Sequence, residues 1–371
     1  MRSLLDFLLV LSVMVIVHEF GHMMAAIKAG VKVERFALGF GRLLFARKFK
    51  GTEYALCSIP LGGYVKLAGD SEEEYKGLSD EFLSKSTLKR FWIIVFGPIL
   101  NYLLGLFLFC FIFMAGYPTF STTIGKVMHG MGAESAGLKV GDTITSIAGV
   151  KVEHWEDLQR EIQRNTGKPQ IKVAVRRDGA DIDFAVPLVD MSVKDNLGQP
   201  KVVGRMGIKP NEKMVFIRYG FFDAIRNGVA KTVELTVMTY KAFFFMLTGK
   251  MSARESVTGP LGIFMITSEA AKLGVLVTLH LMAVLSISLG IFNLLPLPVL
   301  DGGHVFLLGL EKLRGRRLGK KAEEMFSQAG FGIIICLAVL VSLNDLVNFG
   351  FFDKVYNAYV GFSGFLHKFF H

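Results

Sequence analysis

Cysteine is scarce: the 371 residues contain three, Cys57, Cys110 and Cys336, and no two form a CxxC pair. That excludes a disulfide framework and a cysteine-built metal site. Charge is scarce too, with DEKR at 20% against 51% hydrophobic residues and a mean hydropathy of +0.45, which argues against an ordinary soluble globule. The net charge of +10 is not gathered into a basic stripe interleaved with aromatics, so no nucleic-acid partner is expected. No A-x-A-like cleavage site follows the apolar start, and the N-terminal run is read as a retained helix rather than a signal peptide.

What the chain has instead is long apolar runs. Leu4 to about Ala29, Phe91 to about Ala115, Leu273 to Leu300 and roughly Phe326 to Leu343 each approach the roughly 20 residues that cross a bilayer. Lys and Arg concentrate between the first and second runs (Lys28 to Arg90) and after the third (Lys312 to Lys321). By the positive-inside rule both loops are cytoplasmic, which puts the N-terminus and Gly116 to Lys272 outside.

Between the second and third runs, "TIGKVM", "TITSIAGV", "IKVAVRR" and "IDFAVPL" read as short strands around one helix, "HWEDLQREIQ". The phrase "ESAGLKVGDTITSIAGVKV", Glu134 to Val152, resembles the PDZ domains of bacterial membrane-associated proteases, which take an extended peptide as an added strand. From Arg218 to Leu247 the residues Ile225, Val229, Val233, Val237 and Phe244 recur at helical spacing. They predict an amphipathic helix on the outer membrane surface or packed on the PDZ-like domain. Arg35 to Gly69 alternates apolar and polar residues around Gly and Pro breaks, predicting a β-hairpin element set into the membrane face.

The chemistry lies in "HEFGH". His18 and His22 stand four residues apart, one turn on one helix face, where two imidazoles can share an ion. Glu19 lies about 100° round the helix, suited to general-base work beside that ion. Ionisable groups in a span are costly and mark function. Catalytic zinc takes three protein ligands and an open position, and "NLLPLPVLDGGH" supplies Asp301 at the inner end of the third run, with His304 the rival. Leu4 to His18 is 14 steps, about 21 Å of helical rise, so the histidines and Asp301 share a depth near the cytoplasmic side. Asn293 lies near Pro296 and Pro298, and its amide can hold a substrate carbonyl or bond backbone groups the prolines free.

HEFGH, FGPILN at Phe96 to Asn101, the PDZ-like segment, TGPLG at Thr258 to Gly262 and NLLPLPVLDGGH occur in this order over nearly the whole chain. Together they resemble the site-2 intramembrane zinc metalloproteases, of the bacterial branch that regulates sigma factors. The resemblance implies Zn2+ held by His18, His22 and Asp301, with Glu19 as catalytic base. It also implies substrate contacts at Asn293, Pro296, Pro298 and, in the β-element, Gly62 and Gly63. The substrates it implies are single-span membrane proteins, including pre-cleaved ones, in the bacterial inner membrane. One PDZ-like unit stands where some relatives carry two, so a size-filter role for a tandem pair does not carry over. Two rival classes remain: a non-catalytic PDZ-bearing adaptor with a structural metal, which the absence of nearby cysteines disfavours, and a metal transporter, which would string polar residues along the bilayer depth.

The expected fold class is an α-helical membrane protein with about four transmembrane helices, a membrane-associated β-hairpin element and an inserted extracytoplasmic PDZ-like α+β domain. The expected boundaries are 1–29, 91–115, 273–301 and 326–345 for the spans. Cytoplasmic loops take 30–90 and 302–325, the PDZ-like domain 120–190, a linker with the surface helix 191–272, and a tail 346–371.

Overall fold

A computed structural model describes residues 2–194, 200–211, 213–252, 258–315 and 319–348. It divides into two compact units: Met1–Phe109 with Ala230–Thr239 and Ser252–His371, and Cys110–Val229 with Tyr240–Met251. Helix α1 (Arg2–Ala29) stops at Gly30, whose φ of 77° is left-handed. There Gly30 N donates to Ile27 O and Val31 N to Ala26 O, the paired bonds of a glycine-terminated helix.

Strands β1 (Val33–Phe49) and β2 (Thr52–Leu67) follow. Lys50 and Gly51, at φ 47° and 87°, make the left-handed two-residue turn whose twist suits a hairpin. The sheet is more than the expected ribbon, because Ala37 pairs with both Tyr64 and Ala55. The first half of β1 is therefore flanked on two sides, and the stretch around 63–67 forms an edge. The doubling back is made at Gly39 and Gly41, both at positive φ. Phe40, Leu43, Leu44, Phe45, Phe49 and Ile59 leave large apolar side chains exposed. Helix α2 (Thr87–Ala115) comes next, and Gly21 of α1 packs so closely on Phe96 and Gly97 of α2 that a Cβ would collide with backbone.

The second unit opens with β3 (Tyr117–Phe120), β4 (Ile124–Val127) and the short α3 (Gly132–Ser135). Then come β5 (Thr143–Ile147), β6 (Val150–Lys151), α4 (Trp155–Arg164), β7 (Gln170–Arg177) and β8 (Ala180–Pro187). The sheet order is β6-β5-β7-β8. Alternate residues Ile171, Val173 and Val175 of β7 turn inward onto Ile144, Ile147, Leu158 and Ile162, the period-two burial of a one-sided strand. The unit runs past the expected limit at residue 190. After β9 (Val189–Lys194) and β10 (Pro200–Arg205), β11 (Ile208–Pro210) pairs with β4, and β12 (Met214–Ile217) pairs with β3. The expected linker is thus partly strand, since its residues return to edges laid down far earlier in the chain.

Helix α5 (Phe221–Leu247) carries the anticipated stripe, with Ile225, Val229, Val233, Val237 and Phe244 exposed. The structure adds α6 (Pro260–Leu273), within the expected linker and opened by the TGPLG motif. Pro260 takes the N1/N2 position, where its missing N–H costs nothing. The Asp345 carboxylate accepts from Gly262 N at 2.9 Å and Gly259 N at 3.3 Å. Helix α7 (Val275–Asn293) is shorter than the run to Leu300, and Asp301 does not end that span. Prolines 296 and 298 lack donors and bias their predecessors away from helix, so the chain leaves the helix after Asn293 and re-enters it as α8 (Asp301–Arg314). The stretch expected as loop 302–325 is therefore largely helical. Helix α9 (Lys320–Asn348) contains the fourth expected run, and residues 349–371 of the tail lie outside the described residues. Among the described residues three helices are long and apolar enough to cross a membrane: Ser3–Ala29, Thr87–Ala115 and Val275–Asn293.

Candidate metal centre

Helical periodicity alone brings His18 and His22 together, with their Nε2 atoms 3.1 Å apart. Asp301 arrives from α8, its Oδ2 3.2 Å from His18 Nε2 and its Oδ1 3.5 Å from His22 Nε2. The DGG sequence explains how. A Cβ at Gly302 or Gly303 would collide with the backbone oxygens of Leu295 and Leu297, so only glycine lets the proline loop lie on the first turn of α8. Val299 in that loop holds φ 74°, a left-handed conformation that costs a β-branched residue roughly 1–3 kcal/mol. An acidic residue in a helix's first turn also suits the dipole.

One ligand atom from each of His18, His22 and Asp301 lies within 4.8 Å of the others, and this is the one such trio among the described residues. His304 is not in it. His22 donates from Nδ1 to Ile93 O at 2.9 Å, which leaves its Nε2 as a bare lone pair facing a carboxylate and a second imidazole. His22 Nε2 and Asp301 Oδ1 are then two acceptors 3.5 Å apart, an arrangement that a shared cation stabilises. Two imidazoles and one carboxylate oxygen, with no cysteine, are a donor set that fits catalytic zinc.

Glu19 follows His18 on α1, and its carboxylate lies near the backbone of Val65. Gly63 lies against the same turn: a Cβ there would sit 3.0 Å from Val15 Cγ1 and 3.4 Å from Glu19 Cγ. The β2 edge thus runs beside Glu19. Gly62, at φ 106°, faces the Phe40 ring instead. Asn293 closes α7 half-buried, and no hydrogen bond joins its side chain to the trio among the described residues. Pro296 is exposed, and Pro298 packs on Gly330. Sequence reasoning passed over Ile93, Gly97 and Asn101, which surround the histidines. The FGPILN motif carried Gly97 and Asn101, whereas Ile93 acts through its backbone oxygen, which no residue type signals.

A site of this donor set on a helix long enough to span lipid fits a membrane metallopeptidase. Residues 6–337 match peptidase family M50, and the chain belongs to that family. A Rhizobium meliloti protein provisionally named a zinc metalloprotease is 34% identical, covering 92% of this chain and 95% of its own. The regulator of sigma E protease of Haemophilus influenzae is 27% identical over 93% and 98%. The zinc metalloprotease RasP of Oceanobacillus iheyensis is 27% identical over 93% and 99%. Among solved structures, the PDZ domain of an SdrC-like protein from Listeria innocua aligns with 25% of this chain and 96% of its own, at 19% identity and a TM-score of 0.20. The protein is a membrane-located metalloprotease with zinc as its cofactor.

Proposed function

We propose that the protein hydrolyses peptide bonds within the transmembrane segment of single-span membrane proteins, near the cytoplasmic face of a bacterial inner membrane. His18, His22 and Asp301 hold the zinc, and Glu19 is the catalytic base. The observation that carries this reading is the convergence of the three ligand atoms within 4.8 Å on the turn that bears Glu19. Bound there, zinc supplies Lewis-acid polarisation of the scissile carbonyl and acidifies water.

The chain's own residues do the rest. Glu19 takes the proton of the attacking water and returns it to the departing amine. A substrate helix hides its peptide bonds in its own hydrogen bonds, so it must unwind locally, and the freed N–H and C=O groups need partners. The β2 edge around Gly63 offers them beside Glu19, as strand addition does elsewhere. Asn293 and the loop of Pro296 and Pro298 hold the substrate on the other side. The inserted unit is a single PDZ-like domain outside the membrane that binds or excludes substrate ends; anti-sigma factors, a type consistent with the name regulator of sigma E protease, and signal-peptide remnants are the substrates. Four spans, with α9 the fourth, set the N-terminus outside.

Glu19→Gln tests the reading. Cleavage of a tagged single-span protein by the purified enzyme falls at least about 100-fold, the lower range for losing a general base, while zinc content is unchanged. Undiminished cleavage removes Glu19 from the role.

A further inference from the structure

Helix α2 turns one face to the metal centre. Arg90, Ile93, Gly97 and Asn101 are spaced three, four and four residues apart, which gathers them within about 80° of arc on a helix of 3.6 residues per turn. Each meets a different part of the centre. Arg90 Nη2 donates to Glu311 at 2.9 Å, both side chains 8% exposed, and Glu311 lies on α8, the helix that Asp301 opens. Ile93 O accepts the Nδ1 proton of His22. Gly97 makes room for that ring, since a Cβ would lie 2.8 Å from His22 Cδ2 and closer still to Nε2. Asn101, 0% exposed, holds its amide 3.3 Å from His18 Nδ1.

Which amide atom faces His18 follows from the chemistry of ligation. A half-turn about the last side-chain bond exchanges Oδ1 and Nδ2 without moving anything else. His18 offers Nε2 to a metal only if its proton sits on Nδ1, and that proton needs an acceptor, which the amide oxygen is and the amide nitrogen is not. With the nitrogen facing the ring, Oδ1 is buried with no hydrogen-bond partner. With the oxygen facing it, Oδ1 is satisfied, Nδ2 takes the buried place Oδ1 held, and His18 matches His22, each ring giving one proton to α2 and one lone pair to the metal. Metal-ligating histidines commonly have such a partner, which fixes the tautomer and the ring plane.

We propose that Asn101 is a positioning residue of the metal centre: its side-chain oxygen accepts the Nδ1 proton of His18 and so holds Nε2 toward zinc, as Ile93 O does for His22. Nothing in this assignment requires Asn101 to touch substrate. It rests on His18, His22 and Asp301 being the zinc ligands.

The test uses the full-length protein in detergent, reading zinc retained against a graded chelator and the visible absorption of the cobalt(II)-substituted protein. Asn101→Leu, similar in size without an acceptor, weakens metal retention about 10–100-fold and changes the cobalt spectrum. Asn101→Asp, when ionised, can only accept, and it keeps wild-type retention and spectrum. Asn101→Leu that holds metal like the wild type, with an unchanged spectrum, overturns the proposal. So does Asn101→Asp that loses metal, because that is the behaviour of an amide that donates to His18. If Asn101→Leu is not recovered folded, Asn101→Asp alone decides. Zinc that survives His22→Phe in the otherwise unaltered protein sinks the ligand assignment itself, whereas zinc lost in His22→Phe but indifferent to Asn101 sinks only this proposal.

Discussion

In the inserted unit, Ile144, Ile147, Leu158, Val173 and Val175 are fully buried, while the pairs Lys172–Asp183 and Arg176–Asp181 lie on the surface. Helices α1, α2 and α7 reverse the pattern. Leu5, Leu9, Leu103 and Phe107 are exposed, and Asn101 and Ser286 are buried, with Ser286 Oγ donating to Asn101 O at 2.8 Å. Where α7 meets α2, Gly105 and Gly290 allow backbone-close contact, the small-residue packing of helices in lipid. One chain thus folds against two solvents. Water drives apolar burial in the inserted unit, whereas lipid makes polar burial between helices the economical arrangement, and that is where a metal centre can be shielded.

Substitutions can break or sharpen this contrast. The largest stability effect is expected from Glu311→Leu, which leaves Arg90 buried without its carboxylate. It costs about 4 kcal/mol and loosens α8, read as lower folded yield together with reduced zinc retention. In the inserted unit, Leu158→Ala creates a cavity worth about 3 kcal/mol, seen as faster hydrogen exchange across β5 and β7 with zinc content unchanged.

Charge scanning separates the two solvents. Phe107, 65% exposed, should resist replacement because Asp near mid-span costs about 3 kcal/mol of insertion. Val150, 46% exposed on the inserted unit, accepts Asp within about 0.5 kcal/mol. Equal tolerance at the two sites, measured as membrane-inserted yield, would erase the comparison.

The smallest effect is a pH dependence. The Arg177 guanidinium, bonded at 2.6 Å to each oxygen of Asp142, holds that buried carboxyl below its usual range. A carboxyl lowered in the folded state stabilises fully above its unfolded value of about 3.9, and that stabilisation is lost as pH falls through the lower folded value. Exchange protection in the unit therefore stays flat from neutrality to about pH 5 and falls below about pH 4, and Asp142→Asn removes part of that acid slope.

The contrast also decides how much of the molecule was legible in its sequence. HEFGH is a local pattern of helical period, so the placing of His18, Glu19 and His22 on one helical turn could be read directly. The strands from Gln170 to Pro187 declared themselves by alternation. Leu294–Leu300 misled because hydropathy registers its leucines and ignores that Pro296 and Pro298 end the helix. Residues 208–210 and 214–217 pair with strands about ninety positions earlier, and no local window records such a partner. Asn101 stood in a quoted motif, yet its meaning depends on how closely α1 and α2 approach, which Gly21 and Gly97 set by what they lack.

The most direct measurement is zinc-edge X-ray absorption on the purified protein. The account predicts imidazole nitrogen and carboxylate oxygen scatterers at about 2.0–2.2 Å, with the imidazole signal diminished or the zinc lost in His22→Phe. A shell containing sulfur at about 2.3 Å, or one that His22→Phe and Asp301→Ala leave unchanged, would contradict it.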